Sequence, residues 1–153
     1  MPNFLNLLLS FKGRIGRASW WLGFVLTVIG NIVGVVLFDK TLFNPNAPAN
    51  APPGTADTLW QLLMVVPLTA ITVKRFNDRD YPFWTGYAFS ALSVWMAVAP
   101  YFGIDLSPQS PGVQMILFWL LSIAGLFGFV ENGFMRGTDG PNCYGPDPLA
   151  RQS

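Results

Sequence analysis

The chain has 153 residues, of which 52% are hydrophobic and only 11% charged, with a net charge of +1 and a mean hydropathy of +0.41. Soluble domains carry about twice that charged fraction, which argues against a water-soluble bundle with charged outer faces. The absence of histidine and the presence of one cysteine, Cys143, exclude an internal disulfide, histidine-based metal or haem ligation, and catalysis by a histidine base.

Residues 1–12 read as a short interfacial helix. Phe4, Leu7, Leu8 and Phe11 share one face, and Asn3, Asn6 and Ser10 another. The alternative is a frayed terminus with some apolar residues. The positive charges follow the apolar stretch instead of preceding it, so it is not read as a secretory signal. The chain is expected to turn at Gly13 and Gly16. Four apolar runs follow at 19–38, 58–74, 82–102 and 113–135. Each approaches the roughly 20 residues needed to cross a bilayer as a helix. The expected fold is therefore a single all-α integral membrane domain with four transmembrane helices.

The first run carries Gly23, Thr27, Gly30 and Gly34 on one face, an array that lets another helix of the same chain approach closely. Asn31 beside this stripe needs a polar partner, for which Gln61 on the next helix is the candidate. The segment 44–54 holds Pro45, Pro48, Pro52 and Pro53 and reads as an extended linker. Pro67 is expected to kink the second helix near Leu63. The third run starts at Pro82. Trp84 and Tyr87 near one end, Tyr101 and Phe102 near the other, and Trp20, Trp21, Trp60 and Trp119 near other boundaries read as an aromatic belt at head-group level. Ala124, Gly125 and Gly128 form a second small patch in the last run. The tail, 136–153, is rich in turn formers. It reads as ordered turns or as disorder, with Asn142 and Tyr144 favouring order.

Of nine Lys and Arg residues, only Lys40 lies on the far side of this topology. The positive-inside rule then puts both termini in the cytoplasm. On that face three distant segments converge. The candidate network or anion site consists of Arg14, Arg17, Arg75, Asp78, Glu131, Asn142 and Asp147. The arginines suit a phosphate or an anionic lipid head group, and the carboxylates a divalent cation. Charges of both signs nearly balance, however, so a structural ion-pair network is the favoured reading. The expected pairs are Arg14 or Arg17 with Asp78, and Arg75 with Glu131. Asp78-Arg79-Asp80 lacks the helix-period repeat of acids a metal site needs, and no phosphate loop or serine–base pair is present. No catalytic residue, cofactor or metal is assigned, and no basic surface suits nucleic acid.

Three blocks carry a resemblance: Phe11-Lys-Gly-Arg-Ile-Gly-Arg-Ala-Ser-Trp-Trp21, Lys74-Arg-Phe-Asn-Asp-Arg-Asp80 and Asn142-Cys-Tyr-Gly-Pro-Asp-Pro148. In this order they resemble the hallmarks of domain of unknown function 805, the YhaH-like bacterial inner-membrane proteins. Cys143 departs from the pattern, which commonly has a basic residue there. The resemblance implies a four-helix inner-membrane protein with both ends inside, and no particular chemistry. The expected function is a non-catalytic membrane scaffold, regulator or binding module. Its partners would be the bilayer, anionic phospholipid head groups or a membrane protein. The alternatives are a small-solute transporter or channel component, and a lipid-modifying enzyme using the inner-face carboxylates. An ionisable residue at mid-bilayer, which a transport path usually needs, is missing.

Overall fold

Apolar runs separated by Gly, Pro and Asn fold as helices because a helix satisfies its own backbone where water is scarce. The computed structural model describes residues 3–38 and 54–150. In chain order these form α1 (Phe4–Leu9), α2 (Arg17–Phe38), α3 (Thr55–Asp78), α4 (Trp84–Val98) and α5 (Val113–Gly133), with a 3-10 turn at Ala99–Phe102 continuing α4. The linker expected at 44–54 lies, apart from Gly54, outside the described residues, as do Lys40 and Arg151.

Among the described residues three helices are long and apolar enough to cross a membrane: α2, α3 and α5, of 22, 24 and 21 residues. The expectation of a fourth helix as long as these is corrected. α4 has 15 residues, and the α-helical pattern gives way to 3-10 geometry at Ala99–Phe102, where Pro100 stands. Turn residues also hold Pro82 outside α4, its carbonyl accepting from the Thr85 N–H at 3.0 Å.

α3 is the centre of the bundle. α1, α2 and α4 pack chiefly on it, while α5 lies more lightly against α2, α3 and α4. The small-residue stripe of α2 faces α3 within the chain. A Cβ on Gly23 would lie 2.7 Å from Ile71 Cγ2, and one on Gly30 2.8 Å from Met64 Sδ, while one on Gly34 would meet the Trp60 indole. Trp60 Nε1 in turn donates to the Gly30 carbonyl at 2.9 Å. α4 comes closer still, since a Cβ on Gly86 would sit 2.6 Å from Val73 Cα.

Two expectations about polar and aromatic groups are corrected. Asn31 does not reach Gln61. Its Nδ2 donates to Thr27 O at 2.9 Å, and Gln61 donates to Asp57 Oδ2 at 2.8 Å. A carbonyl one turn back satisfies the amide without a second helix. The belt is also thinner than expected. Trp84, Trp119, Tyr87, Tyr101 and Phe102 are exposed, but Trp20 is buried in the core with Leu7, Ile15 and Ile71. Trp21 donates from its indole N–H to Gly133 O at 3.1 Å, so both rings of the pair join α2 to α5.

Candidate functional site

The last turns of α3 read Lys74-Arg75-Phe76-Asn77-Asp78, and every residue from Thr69 to Asp78 is buried. Consecutive residues on a helix point about 100° apart, so this block reaches a different segment with each side chain. Lys74 Nζ donates to the Asn6 and Leu7 carbonyls at 2.7 and 2.6 Å. Those belong to the last turn of α1, where helical carbonyls run short of partners; Asn6 O also accepts from the Ser10 N–H at 3.3 Å. Arg75 treats α5 the same way. Its guanidinium donates to Asn132 O at 2.8 Å and to Met135 O, and its NH1 pairs with Asp78. A cation at a helix C-terminus also opposes the negative end of the macrodipole. Asn77 Nδ2 donates to Gly13 O at 3.2 Å.

Asp78 and Arg14 form the centre of the cluster. Arg14 Nε donates to Asp78 Oδ1 at 3.0 Å, and the two side chains are 1% and 4% exposed. The rest of the Arg14 guanidinium serves the tail. NH1 donates to Gly140 O and Gly145 O at 2.7 and 3.2 Å, and NH2 to Thr138 O and Thr138 Oγ1 at 2.7 and 3.1 Å. The tail closes back on α3. Thr138 donates through its N–H and its hydroxyl to Asp78 O at 2.8 and 3.0 Å. Asn142 Nδ2 donates to Asn77 O at 2.9 Å, and the Tyr144 hydroxyl to Tyr81 O at 2.7 Å. Gly137 leaves no room for a side chain, because a Cβ there would fall on the Asp78 carboxylate. The tail at this point is an ordered loop, with an antiparallel bridge between Asn142 and Gly145.

Asp147 organises the loop from within. Its carboxylate accepts from Leu149 N–H at 2.8 Å and Gly140 N–H at 3.2 Å. These backbone donors hold its carboxyl below the usual carboxylate range. Cys143 is exposed, and its thiol approaches Asp80 Oδ1 at 3.3 Å. Asp80 holds φ at 59°. It occupies the left-handed position where α3 stops, with Asp80 N–H on Asn77 O at 3.2 Å and Tyr81 N–H on Phe76 O at 3.1 Å. This is a Schellman ending with aspartate where glycine is usual.

The candidate residues from sequence are thus sorted. Arg14, Arg75, Asp78 and Asn142 meet in one knot, and Asp147 supports the tail loop beside it. Arg17 does not pair with Asp78; its NH1 donates to Phe134 O at 3.3 Å on the exposed rim. Arg75 does not pair with Glu131. That carboxylate takes Arg79 at 2.8 Å instead, because Asp78 lies one turn along α3 from Arg75 and within its reach. Thr138 and Gly137 belong to the knot and were not singled out as site residues; the Thr-Asp-Gly turn at 138–140 was their visible signal. Among the described residues no group of three or more His, Cys, Asp or Glu side chains is placed to hold a metal ion.

A family model described as "Protein of unknown function (DUF805)" matches residues 8–146. The chain belongs to this DUF805 family. It is 31% identical to the uncharacterized protein YiiR of Escherichia coli strain K12, over 92% of this chain and 86% of that one. It is 27% identical to inner membrane protein YhaH of the same strain, over 91% and 87% of the two chains. No solved structure matches it. Arg14, Arg75, Asp78, Thr138 and Asn142 all fall inside the DUF805 match, and Asp147 one residue beyond it.

Proposed function

We propose that this DUF805 chain is a non-catalytic, multi-pass protein of the bacterial inner membrane whose polar end is a cytoplasmic binding platform. The carrying observation is how Arg14 uses its donors. All three guanidinium nitrogens are engaged by Asp78 and by tail carbonyls, which leaves little for a phosphate. The cluster is read accordingly as architecture that fixes the loop 137–149 on the membrane surface. Around it, Lys12, Arg17, Arg136, Asp139 and Cys143 are exposed and form the surface a membrane-protein partner or anionic head groups would meet.

The membrane assignment is supported by the three long apolar helices and by the name of the relative YhaH. The fourth crossing is α4 with its 3-10 continuation. Fifteen α-helical residues rise about 22 Å and four 3-10 residues about 8 Å, together near the ~30 Å hydrocarbon thickness. Four crossings return the chain to its starting side, in keeping with eight of nine basic residues there.

Photocrosslinking in intact cells tests the platform. A photoreactive residue at position 143 is expected to give a discrete protein adduct or an adduct enriched in anionic phospholipid over the bulk, and Arg14→Gln to abolish it by releasing the loop. A probe at Leu126, on the exposed apolar face, is expected to give bulk lipid only. The same product from both positions would overturn the platform reading.

A further inference from the structure

A second feature lies inside the bundle, away from the knot. A cavity of about 190 Å³ opens between α2, α3, α4 and α5. Four buried side-chain polar atoms lack a hydrogen bond among the described residues. Two of them, Arg79 Nε and Glu131 Oε2, belong to the ion pair at the polar end. The other two, Trp20 Nε1 and Asn132 Oδ1, belong to residues that both line this cavity. Those residues are 3% and 2% exposed, so bulk solvent does not satisfy them.

The Asn132 amide is fixed in orientation by its Nδ2, which donates to Gly128 O at 2.6 Å, so the free atom is the acceptor. Ser90 and Ser93, also on the wall, spend their protons on Gly86 O and Phe89 O at 3.0 and 3.2 Å, and their oxygens retain accepting capacity. The cavity therefore offers the Trp20 N–H as a buried unused donor, the Thr72 hydroxyl on its wall, and several acceptors. Among the described residues no ionisable one lines it, and the remaining wall is mostly aromatic and aliphatic, including Phe89 and Phe129. An apolar cavity of about 150 Å³ takes up benzene, so this one has room for a ring with a substituent.

We propose that the cavity is a binding site for an uncharged, ring-sized molecule or lipid moiety that carries a hydroxyl on an apolar body. A hydroxyl accepts from Trp20 Nε1–H and donates to Asn132 Oδ1, the two roles left open. A charged ligand finds no counter-charge here, and a pure hydrocarbon leaves both atoms unpaired in a medium where that is costly. Access is from the side of the bundle. Gly125 lines the cavity and is itself exposed, and a Cβ there would meet nothing within 4 Å. The same chemistry occurs in free aromatic alcohols and in the glycerol hydroxyl of neutral acylglycerols.

The test uses the full-length protein in detergent micelles with 4-fluorobenzyl alcohol as probe and 4-fluorotoluene as its hydroxyl-free match, followed by 19F NMR against empty micelles. The alcohol is expected to show saturable uptake and 4-fluorotoluene only micelle partitioning. Trp20→Phe, which keeps the ring and removes the N–H, is expected to weaken the alcohol about tenfold. Gly125→Leu adds bulk on the cavity wall at a position where a Cβ meets nothing within 4 Å, and is expected to remove saturable uptake while leaving the thermal midpoint nearly unchanged. Displacement of the probe by 1-monooleoylglycerol identifies a lipid occupant, and failure of that displacement a free solute. Equal saturable uptake of the two probes, or saturable uptake of neither by folded wild-type protein, would overturn the proposal.

Discussion

The two halves of α3 are buried in different ways. From Thr69 to Asp78 every residue is buried, and the buried set includes Lys74, Arg75 and Asp78; from Thr55 to Leu68 only Asp57 and Thr58 are. The half at the polar end is held by charged side chains that donate to the carbonyl ends of α1 and α5 and to the tail. The other half is held by close packing, with Met64 and Trp60 against the glycines of α2. Hydrocarbon gives apolar side chains no reason to leave it, so helices there associate through shape and backbone approach. At the interface, unmatched backbone groups are the expensive items, and long cationic side chains reach them. One helix thus adds charged hydrogen bonds at its polar end to a steric fit that runs along it from Trp60 to Val73.

Substitutions at the polar end should have the largest effects. Arg75→Met leaves Asp78 with half its partners and uncaps Asn132 and Met135. It is expected to cost about 3–5 kcal/mol, the scale for breaking a buried pair, measured as a fall in chemical-denaturation stability in mild detergent. A loss under 1 kcal/mol would place this cluster with ordinary surface ion pairs. Close helix packing, which also reaches the polar-end half of α3 at Ile71 and Val73, should respond next. Gly86→Leu drives a side chain into the Val73 backbone and is expected to cost about 1–3 kcal/mol, whereas Gly30→Leu meets only the flexible end of Met64 and should cost less. Equal losses would mean that α4 yields as easily as a methionine.

Smaller effects sharpen the picture of the loop. Asp80→Gly relieves a non-glycine residue at φ 59° and is expected to stabilise by about 1 kcal/mol; destabilisation would show that the Cys143 contact outweighs the backbone strain. Asp147 supplies a pH signature. Its folded carboxyl titrates lower than its unfolded one, held down by the Leu149 and Gly140 N–H groups. Its contribution is therefore present above the unfolded pKa, near 4, and is lost as pH falls through the folded value. The midpoint difference between wild type and Asp147→Asn should be constant above about pH 5 and shrink below about pH 4. A difference that persisted undiminished at pH 2 would exclude the carboxylate as its source.

Much of this was legible before the structure. Apolar runs separated by turn formers marked the helices, and the spacing of Gly23, Thr27, Gly30 and Gly34 marked a close contact of α2 within the chain, without saying with which helix. The convergence of residues near 14, 75–80 and 142–147 followed from topology and charge. Asp78 could be narrowed to Arg14 or Arg17 because only a few opposite charges shared that plane, but not to Arg14 alone. The choice of cation for Glu131 could not be read. Arg75 and Arg79 are one turn apart on the same face of α3, and which of them reaches Glu131 depends on the axial offset of α5. The role of Lys74 was hidden for a similar reason. Its partners are backbone carbonyls of α1, which every sequence possesses and none advertises. Trp20 and Asn31 were misjudged because a boundary position and a polar side chain were each given one physical solution where two exist: a ring can turn inward, and an amide can bond to its own helix.

The central claim is that Arg14, Arg75 and Asp78 at the polar end form a desolvated knot that satisfies its own charges with the tail. A double-mutant cycle on Arg14 and Asp78, read by equilibrium unfolding in mild detergent with and without anionic phospholipid, tests it most directly. Asp78→Asn alone should cost about 3–5 kcal/mol, because it leaves two buried guanidinium groups without their carboxylate. Adding Arg14→Gln should restore part of that loss, with a coupling of at least about 1 kcal/mol that the lipid does not change. Strict additivity would contradict the account, since uncoupled side chains are a solvated rim. A coupling that appears only with anionic lipid would also contradict it, since Arg14 would then serve a head group and not the tail.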